Sequence, residues 1–278
     1  MDILSQEAAD HYLEGNEHER LLTPQGKLEF ERTKDIILRN IFQKPAKVLD
    51  LGGGTGHYSF WLANQGYEVH LVDAMASHVE MAKKVVQNHP LASISVGDAR
   101  ETRFGDESFD VVLMFGPLYH LVEKRERKQA LEEAWRVLKP GGKLFAVSIS
   151  KFASLYDGYF RGFVDDLDFK TILTQDLIDG QHRNPTNHPA YFTTTKFHEP
   201  NEFRKEIENV GYDDVVLHGI EGFAWLLPDL DERLKQSGTM LFDHLKWVEC
   251  EPSVVGSSAH ILAVCRKWLK PRELPESY

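Results

Sequence analysis

Cysteine is nearly missing from this chain of 278 residues, with Cys250 and Cys265 the two that occur. Their separation fits no C-x-x-C ligand pair, so a disulfide framework and a zinc knuckle are both excluded, and the thiols are read as packing residues. Long apolar runs are missing too; none approaches the roughly 20 residues that a membrane-crossing helix needs. The opening segment MDILSQEAADHYLEGNEHER is acidic and polar, without the apolar stretch or small-residue cleavage site of a secretory leader, which predicts a cytoplasmic protein. Basic charge is in short supply: 32 Lys and Arg against 43 Asp and Glu leave a net charge of -11. A nucleic-acid partner is therefore not expected, because holding phosphates takes clustered cations. The basic cluster at 124–128 (KRERK) opens a helix and contains Glu126, so it is expected to be a solvated helix face. No internal repeat or low-complexity segment breaks the chain.

What is present is an alternation. KVLDL at 47–51 is a short apolar strand running into glycines, 58–65 reads as a helix, and 68–72 as a second strand. A helix over 78–88, a strand over 93–96, and the strongly apolar strand FDVVLMF over 109–115 follow. Residues 124–138 are amphipathic, with Leu131, Ala134, Trp135 and Leu138 on one stripe; KPGG at 139–142 stops that helix before a fifth strand at 143–149. Beyond Ser150 the rhythm breaks into an aromatic-rich stretch to about His198. A helix over 201–210 and strands over 214–218 and 259–265 finish the chain. Apolar strands separated by helices predict a doubly wound, mostly parallel seven-stranded α/β sheet whose ligands sit at the carboxyl ends of its strands. The expected organisation is an N-terminal helical cover (1–44), a ligand-binding core (45–150), a substrate-side insertion (151–200) and a C-terminal completion of the sheet (201–278).

The first strand leads into DLGGGTG at 50–56, where a nucleotide-binding turn must lie, since glycines let the backbone reverse sharply and let a ligand approach without Cβ atoms in the way. A dinucleotide fingerprint wants a third glycine at 57, and His57 is there instead. The spacing present is G-x-G-x-G at Gly52, Gly54 and Gly56, which favours a ligand lacking a pyrophosphate.

At these residues the chain resembles the class I methyltransferases that use S-adenosylmethionine (SAM), a Rossmann-like family. VLDLGGGTG at 48–56 is similar to the family's first motif, GDA at 97–99 to its turn after the third strand, FDVVLMFGPLYHL at 109–121 to its fourth motif, and RVLKPGGKLF at 136–145 to the lead into the fifth strand. The resemblance implies methyl transfer from SAM to a small-molecule acceptor, with S-adenosylhomocysteine (SAH) as product. It implies that Asp73 holds the ribose hydroxyls with Ala74 beside it, that Asp98 and the Ala99 backbone read adenine, and that Phe115 and Gly116 face the methionine part. Asp50 helps neutralise the donor's ammonium group or orients the glycine loop, or, as an Asp at a strand end, simply caps the turn. Tyr119 and His120 are the candidate bases if the acceptor's proton must be removed. Tyr12 and Arg20 either close over the donor or are surface residues of a terminal helix.

No metal is expected. His182, His188 and His198 have spacings that fit no compact ligand motif, and a mobile loop is the simpler account of them. Phe152, Tyr156, Tyr159, Phe160 and Phe163 recur at helical intervals and suggest packing, with part of the stripe lining the acceptor pocket. A nicotinamide oxidoreductase would share the fold, but His57 and the GDA turn argue against it. An aminopropyltransferase would need an acidic pair that FGPLYHL lacks. A SAM-binding protein without turnover would keep the donor motifs and lose the acceptor pocket.

Overall fold

The computed structural model describes residues 21–41, 44–85, 90–186, 188 and 191–268. Tyr12 and Arg20 lie outside the described residues. Five parallel strands form the centre of the sheet: β1 (Lys47–Leu51), β2 (Glu68–Asp73), β3 (Ser93–Val96), β4 (Phe109–Met114) and β5 (Leu138–Ser150), in the order β3-β2-β1-β4-β5. Helices α2 (His57–Asn64), α3 (Ala76–Lys84) and α5 (Lys124–Val137) make the crossovers, and the short α4 (Pro117–His120) follows β4.

Period-two alternation divides the strands between two cores. Leu49, Leu51, Val112, Met114 and Leu144 face α5 and the later helix α8 (Pro200–Glu208) through Leu131, Ala134, Phe203 and Ile207. Val48, Val111, Leu113, Phe145 and Val147 face the opposite layer, where α1 (Pro24–Asn40) contributes Ile36 and Ile37 and α2 contributes Leu62 and Ala63. Both faces are covered, which is why the strands read as almost continuous apolar runs.

Two further strands, β8 (Tyr212–Gly219) and β9 (His260–Lys267), complete the sheet, with β9 antiparallel to β5 from Lys143↔Arg266 to Ile149↔His260. The expected seven strands are present, and two more join them. The described residues after Ser150 carry regular elements. They form α6 (Ala153–Arg161), α7 (Leu167–Asp179), β6 (Gln181–His182) and β7 (Thr195–His198). Ile149 pairs with His260 on one edge of β5 and with Phe197 on the other, so β7 occupies the edge that β4 leaves beyond Met114. The fifth strand also begins earlier than the KPGG stop suggests. Phe109 already pairs with Leu138, and a register shift between Phe109 and Val111 absorbs the glycines.

The KRERK cluster is only partly a solvated face. Arg127 turns inward on the stripe of Ala130 and Ala134, is 2% exposed, and forms a two-pronged pair with Glu206 of α8 at 2.9 and 2.7 Å. Burial alone would raise the Glu206 carboxyl, but hydrogen bonds from Arg127 and His198 win and hold it well below the usual carboxylate range.

Helix α1 is capped by the Thr23 hydroxyl, which accepts from the Gly26 N–H at 3.1 Å, and Pro24 preorganises its first turn. Its anchor is Arg32, fully buried. The guanidinium donates to the Ile220 carbonyl at 3.2 Å and pairs with Glu249 just past α9 (Leu230–Val248), where Arg39 also binds at 2.8 Å. No helix among the described residues is long and apolar enough to cross a membrane.

Glu249 is pulled by burial toward a higher pKa and, more strongly, by hydrogen bonds from His218 and Arg32 and by Arg39 toward a lower one, reaching about 2 against an ordinary 4.5. A depressed carboxylate contributes stability above its unfolded pKa and loses it as the pH falls through the folded value, so this contribution fades between about 4.5 and about 2. Arg32→Ala takes the buried guanidinium from Glu249, which keeps Arg39 and His218, and is expected to cost about 1.5–3 kcal/mol in urea unfolding near neutral pH. A variant as stable as the parent there would show that α1 is not held by this pair.

Candidate functional site

The site is built where β1 to β4 end. Strand β1 delivers Asp50 and the chain then reverses into α2 through glycines at positive φ, 79° at Gly52 and 57° at Gly54. A Cβ on Gly52 would come within 2.6 Å of the Pro117 ring, so the loop lies against the start of α4. A Cβ on Gly54 would meet nothing within 4 Å, because that residue faces an open cleft. Gly56 does not border the cleft. It caps α2 with its α-carbon packed on Phe60.

Asp73, at the end of β2, holds this turn. Its Oδ2 accepts from the Gly54 N–H at 2.8 Å, its Oδ1 accepts from the Met75 N–H at 2.9 Å, and His78 Nδ1 lies 3.2 Å from Oδ1. Asp50 is 1% exposed and accepts from the Ser59 hydroxyl at 2.7 Å. Burial pushes its carboxyl up, the Ser59 hydrogen bond partly offsets this, and the neighbouring charge of Asp73 adds to the rise, leaving it at about 7.

Asp98 follows β3 in the GDA turn and also borders the cleft, as do Ala74 and Ala99. Its carboxylate is engaged by Arg100, whose Nε lies 3.0 Å from both oxygens and whose Nη2 lies 2.6 Å from Oδ2. Arg100 also reaches Glu126 of α5 at 2.5 Å. Adenine at this turn would therefore meet an Asp98 that already serves a guanidinium and has lone pairs left to accept.

Phe115 and Gly116, past β4, form the next wall. The Phe115 ring meets Tyr58 edge-on at 4.9 Å, and Tyr58 meets Phe30 of α1 at 5.0 Å. Tyr119 and His120 of α4 stand with ring centroids 4.6 Å apart, and both border the cleft.

Helix α1 supplies residues that no motif signalled. Glu29 and Thr33 line the cleft from above. The Thr33 hydroxyl is buried without a hydrogen-bond partner among the described residues, a position that suits a ligand's polar group. Counting the open space at its mouth, the cleft holds about 1170 Å³.

A second cavity of about 950 Å³ adjoins it. Phe169, Tyr191, Phe192, Phe197 and Trp225 line it, with Asp157 and His182 as polar groups. The expected aromatic stripe does not. Tyr159 and Phe160 point to solvent, Phe163 packs on Phe169 and Tyr191, and Tyr156 meets Trp225. α6 turns Ala153, Ser154 and Asp157 toward the cavity instead, since one helix face cannot serve both purposes.

The histidines of the insertion are dispersed into separate contacts. His182 bonds Asp176 at 2.8 Å, His198 bonds Ser148 at 2.5 Å and Glu206 at 3.4 Å, and His188 stacks on Tyr191 at 4.2 Å. Among the described residues, Glu29 and His260 border both cavities. The first residue of a late strand carried no motif, so His260 was not foreseeable.

A family model described as a methyltransferase domain matches residues 49–146. Among curated relatives, a ubiquinone/menaquinone biosynthesis C-methyltransferase UbiE of Zymomonas mobilis is 32% identical over 45% of this chain and 54% of its own length. A demethylmenaquinone methyltransferase of Renibacterium salmoninarum is 30% identical over 63% and 70%. The chain spans about half the length of the first two curated relatives it matches. In fold it is similar to a SAM-dependent methyltransferase of Methanosarcina mazei, with TM-score 0.56, 19% identity, and coverage of 84% of this chain and 98% of that one. It is similar as well to a possible histamine N-methyltransferase of Thermotoga maritima, with TM-score 0.56, 16% identity, and coverage of 94% and 99%.

The raised carboxyl of Asp50 has a defined sign. A folded pKa of about 7 against an ordinary 3.8 means stability that is fully present below 3.8 and lost as the pH rises through 7. The unliganded Asp50→Asn protein is expected to keep its melting temperature across that window while the parent's falls. Parallel curves for the two proteins would show that Asp50 stays ionised throughout.

Proposed function

The chain belongs to the class I SAM-dependent methyltransferase family, and from that premise we propose that it transfers the methyl group of SAM to a small-molecule acceptor held in the aromatic cavity. The observation that carries the reading is the adjacency of two cavities. One is cradled by glycines and carboxylates at the strand ends; the other is lined by aromatic side chains; they share a wall of two residues.

The first cavity fits the donor. Gly54 leaves room for a close approach, the buried Thr33 hydroxyl offers a polar contact, and Asp50, Asp73, Asp98 and Glu29 surround a ligand that carries positive charge on sulfur and nitrogen. Asp73 would accept from the ribose hydroxyls while keeping its hold on the Gly54 N–H, and Asp98 with the Ala99 N–H would read adenine. Asp50 would face the ammonium group, a cation that favours the ionised carboxylate over the protonated form. Phe115, Gly116 and Tyr119 would close the methionine end against water.

SAM supplies an activated methyl on a sulfonium, a group that leaves without help. The protein's part is to place the acceptor in line and keep solvent out. Tyr119 and His120 border the donor cleft and serve there as wall and orienting groups.

The aromatic lining of the second cavity favours a flat, mainly apolar acceptor. Curated relatives include enzymes named for quinone C-methylation, an acceptor class of that shape. The carboxylates around the donor cleft disfavour a phosphate-rich polymer as acceptor.

Calorimetric titration with SAH tests the donor site. Micromolar affinity is expected, with NAD giving no heat, and Asp73→Ala is expected to weaken binding by at least about 10-fold, the scale of a lost charge-assisted hydrogen bond. Binding of NAD in preference to SAH would overturn the proposal.

A further inference from the structure

We propose that His260 is the general base of this protein, oriented by the buried carboxylate of Glu221, and that the acceptor carries an ionisable hydroxyl of the phenol or enol class. The proposal rests on the methyl-transfer reading above. Its geometry is independent of the donor motifs. His260 opens β9 and pairs with Ile149 near the end of β5, which puts its imidazole at the wall where the two cavities meet.

Glu221, in the loop after β8, is 1% exposed. Its Oε1 lies 2.5 Å from His260 Nδ1, and its Oε2 accepts from the His260 backbone N–H at 3.0 Å and from the Ser258 hydroxyl at 2.7 Å. Ser258 in turn accepts from the Glu221 N–H at 3.0 Å and the Gly222 N–H at 3.1 Å. The carboxylate is thus fixed by several donors and cannot swing away. An ionised carboxylate only accepts, so Nδ1 carries the imidazole hydrogen and Nε2 carries the basic lone pair.

Among the described residues, the charged groups facing His260 include Glu221 and, from α1, Glu29, whose Oε2 lies 3.9 Å from Nδ1. Asp157 of α6 and His182 of β6 face it across the aromatic cavity. Two nearby carboxylates stabilise the imidazolium that forms when Nε2 takes a proton.

The step balances. His260 Nε2 takes the proton of the acceptor's O–H; the electron pair left on oxygen, or delocalised to a ring carbon, forms the bond to the methyl carbon. The carbon–sulfur bond breaks with its electron pair going to sulfur, which leaves as the neutral thioether of SAH. The imidazolium later returns its proton to water. Both oxygen and carbon methylation begin from the ionised hydroxyl; on carbon, the methylated ring carbon then gives up its own hydrogen to water as a proton, and the oxygen takes back the proton that His260 holds.

The sequence motifs pointed to Tyr119 and His120, which border the donor cleft and not the second cavity. His260 borders both, which is what a base acting on the acceptor beside the transferring methyl requires.

The test uses 4-nitrophenol, whose phenolate is coloured, added to the full-length protein saturated with SAH at a pH where the unbound phenol is mostly protonated. The wild-type complex is expected to bind the probe as phenolate. His260→Asn should lower the bound phenolate by at least about 10-fold, and Glu221→Gln, which keeps an acceptor but no charge, by an intermediate factor. Calorimetric SAH affinity is measured on all three proteins. Unchanged SAH binding with lost phenolate supports the base. Unchanged phenolate in His260→Asn, no bound phenolate in the wild type, or loss of the signal on adding EDTA overturns it. A failure of SAH binding in the wild type would instead refute the donor reading on which it rests. With a phenolic acceptor turned over, kcat should fall about 10²-fold in His260→Asn and the acid limb of its pH profile should flatten.

Discussion

The buried guanidinium of Arg32 is the constraint on which the arrangement depends. It reaches the Ile220 carbonyl at the end of β8 and the Glu249 carboxylate after α9, so one side chain fixes α1 to two elements that are distant in sequence. A charge this deep is held because its hydrogen-bonding groups are met from several sides at once. The consequence for chemistry is positional. Glu29 and Thr33 lie within one turn on either side of Arg32 on the same helix, and they enter the cleft because Arg32 sets the helix's height and rotation. The neighbour of Ile220 is Glu221, so the same anchor steadies the loop that holds His260.

The cleft gathers acidic groups where a sheet of this kind also points its helix N-termini, whose partial positive charge favours anions. Asp73 meets this by taking backbone N–H groups of the turn, and Asp98 by taking Arg100. Asp50 accepts from the hydroxyl and the backbone of Ser59, with no cation paired to it among the described residues, so its charge is less compensated than theirs in the protein alone. Charge is therefore graded across the cleft, well compensated at Asp73 and Asp98 and less so at Asp50.

Much of this was legible in the residues. The order of strands and helices from Lys47 to Ser150 follows from apolar runs, glycine stops and helical stripes, and the loop at 50–56, Asp73, the GDA turn and the residues after β4 converge on one cleft. Three things were not legible. Arg127 belongs to a run of charges, and its burial depends on Glu206, some eighty positions on. The aromatic stretch after Ser150 looks irregular because α6 turns Ala153, Ser154 and Asp157 toward the cavity and leaves Tyr159 and Phe160 to solvent. Glu29, Glu221 and His260 lie on three separated segments that meet only through tertiary packing, and no spacing rule relates them.

Strand β9 runs against its neighbours, and this bears on how such a sheet acquires new chemistry. In a purely parallel sheet, the ligand-bearing edge receives strand ends and the loops after them, so every group there is tied to a crossover that also shapes the nucleotide site. A reversed strand brings its beginning to that edge, so His260 borders the donor cleft without belonging to any of the turns that follow β1 to β4. Residues at that position can be exchanged without disturbing the turns that bind the shared donor. The reversed strand thus lets the sheet carry a side chain for the acceptor's side on a segment separate from the turns that shape the nucleotide site.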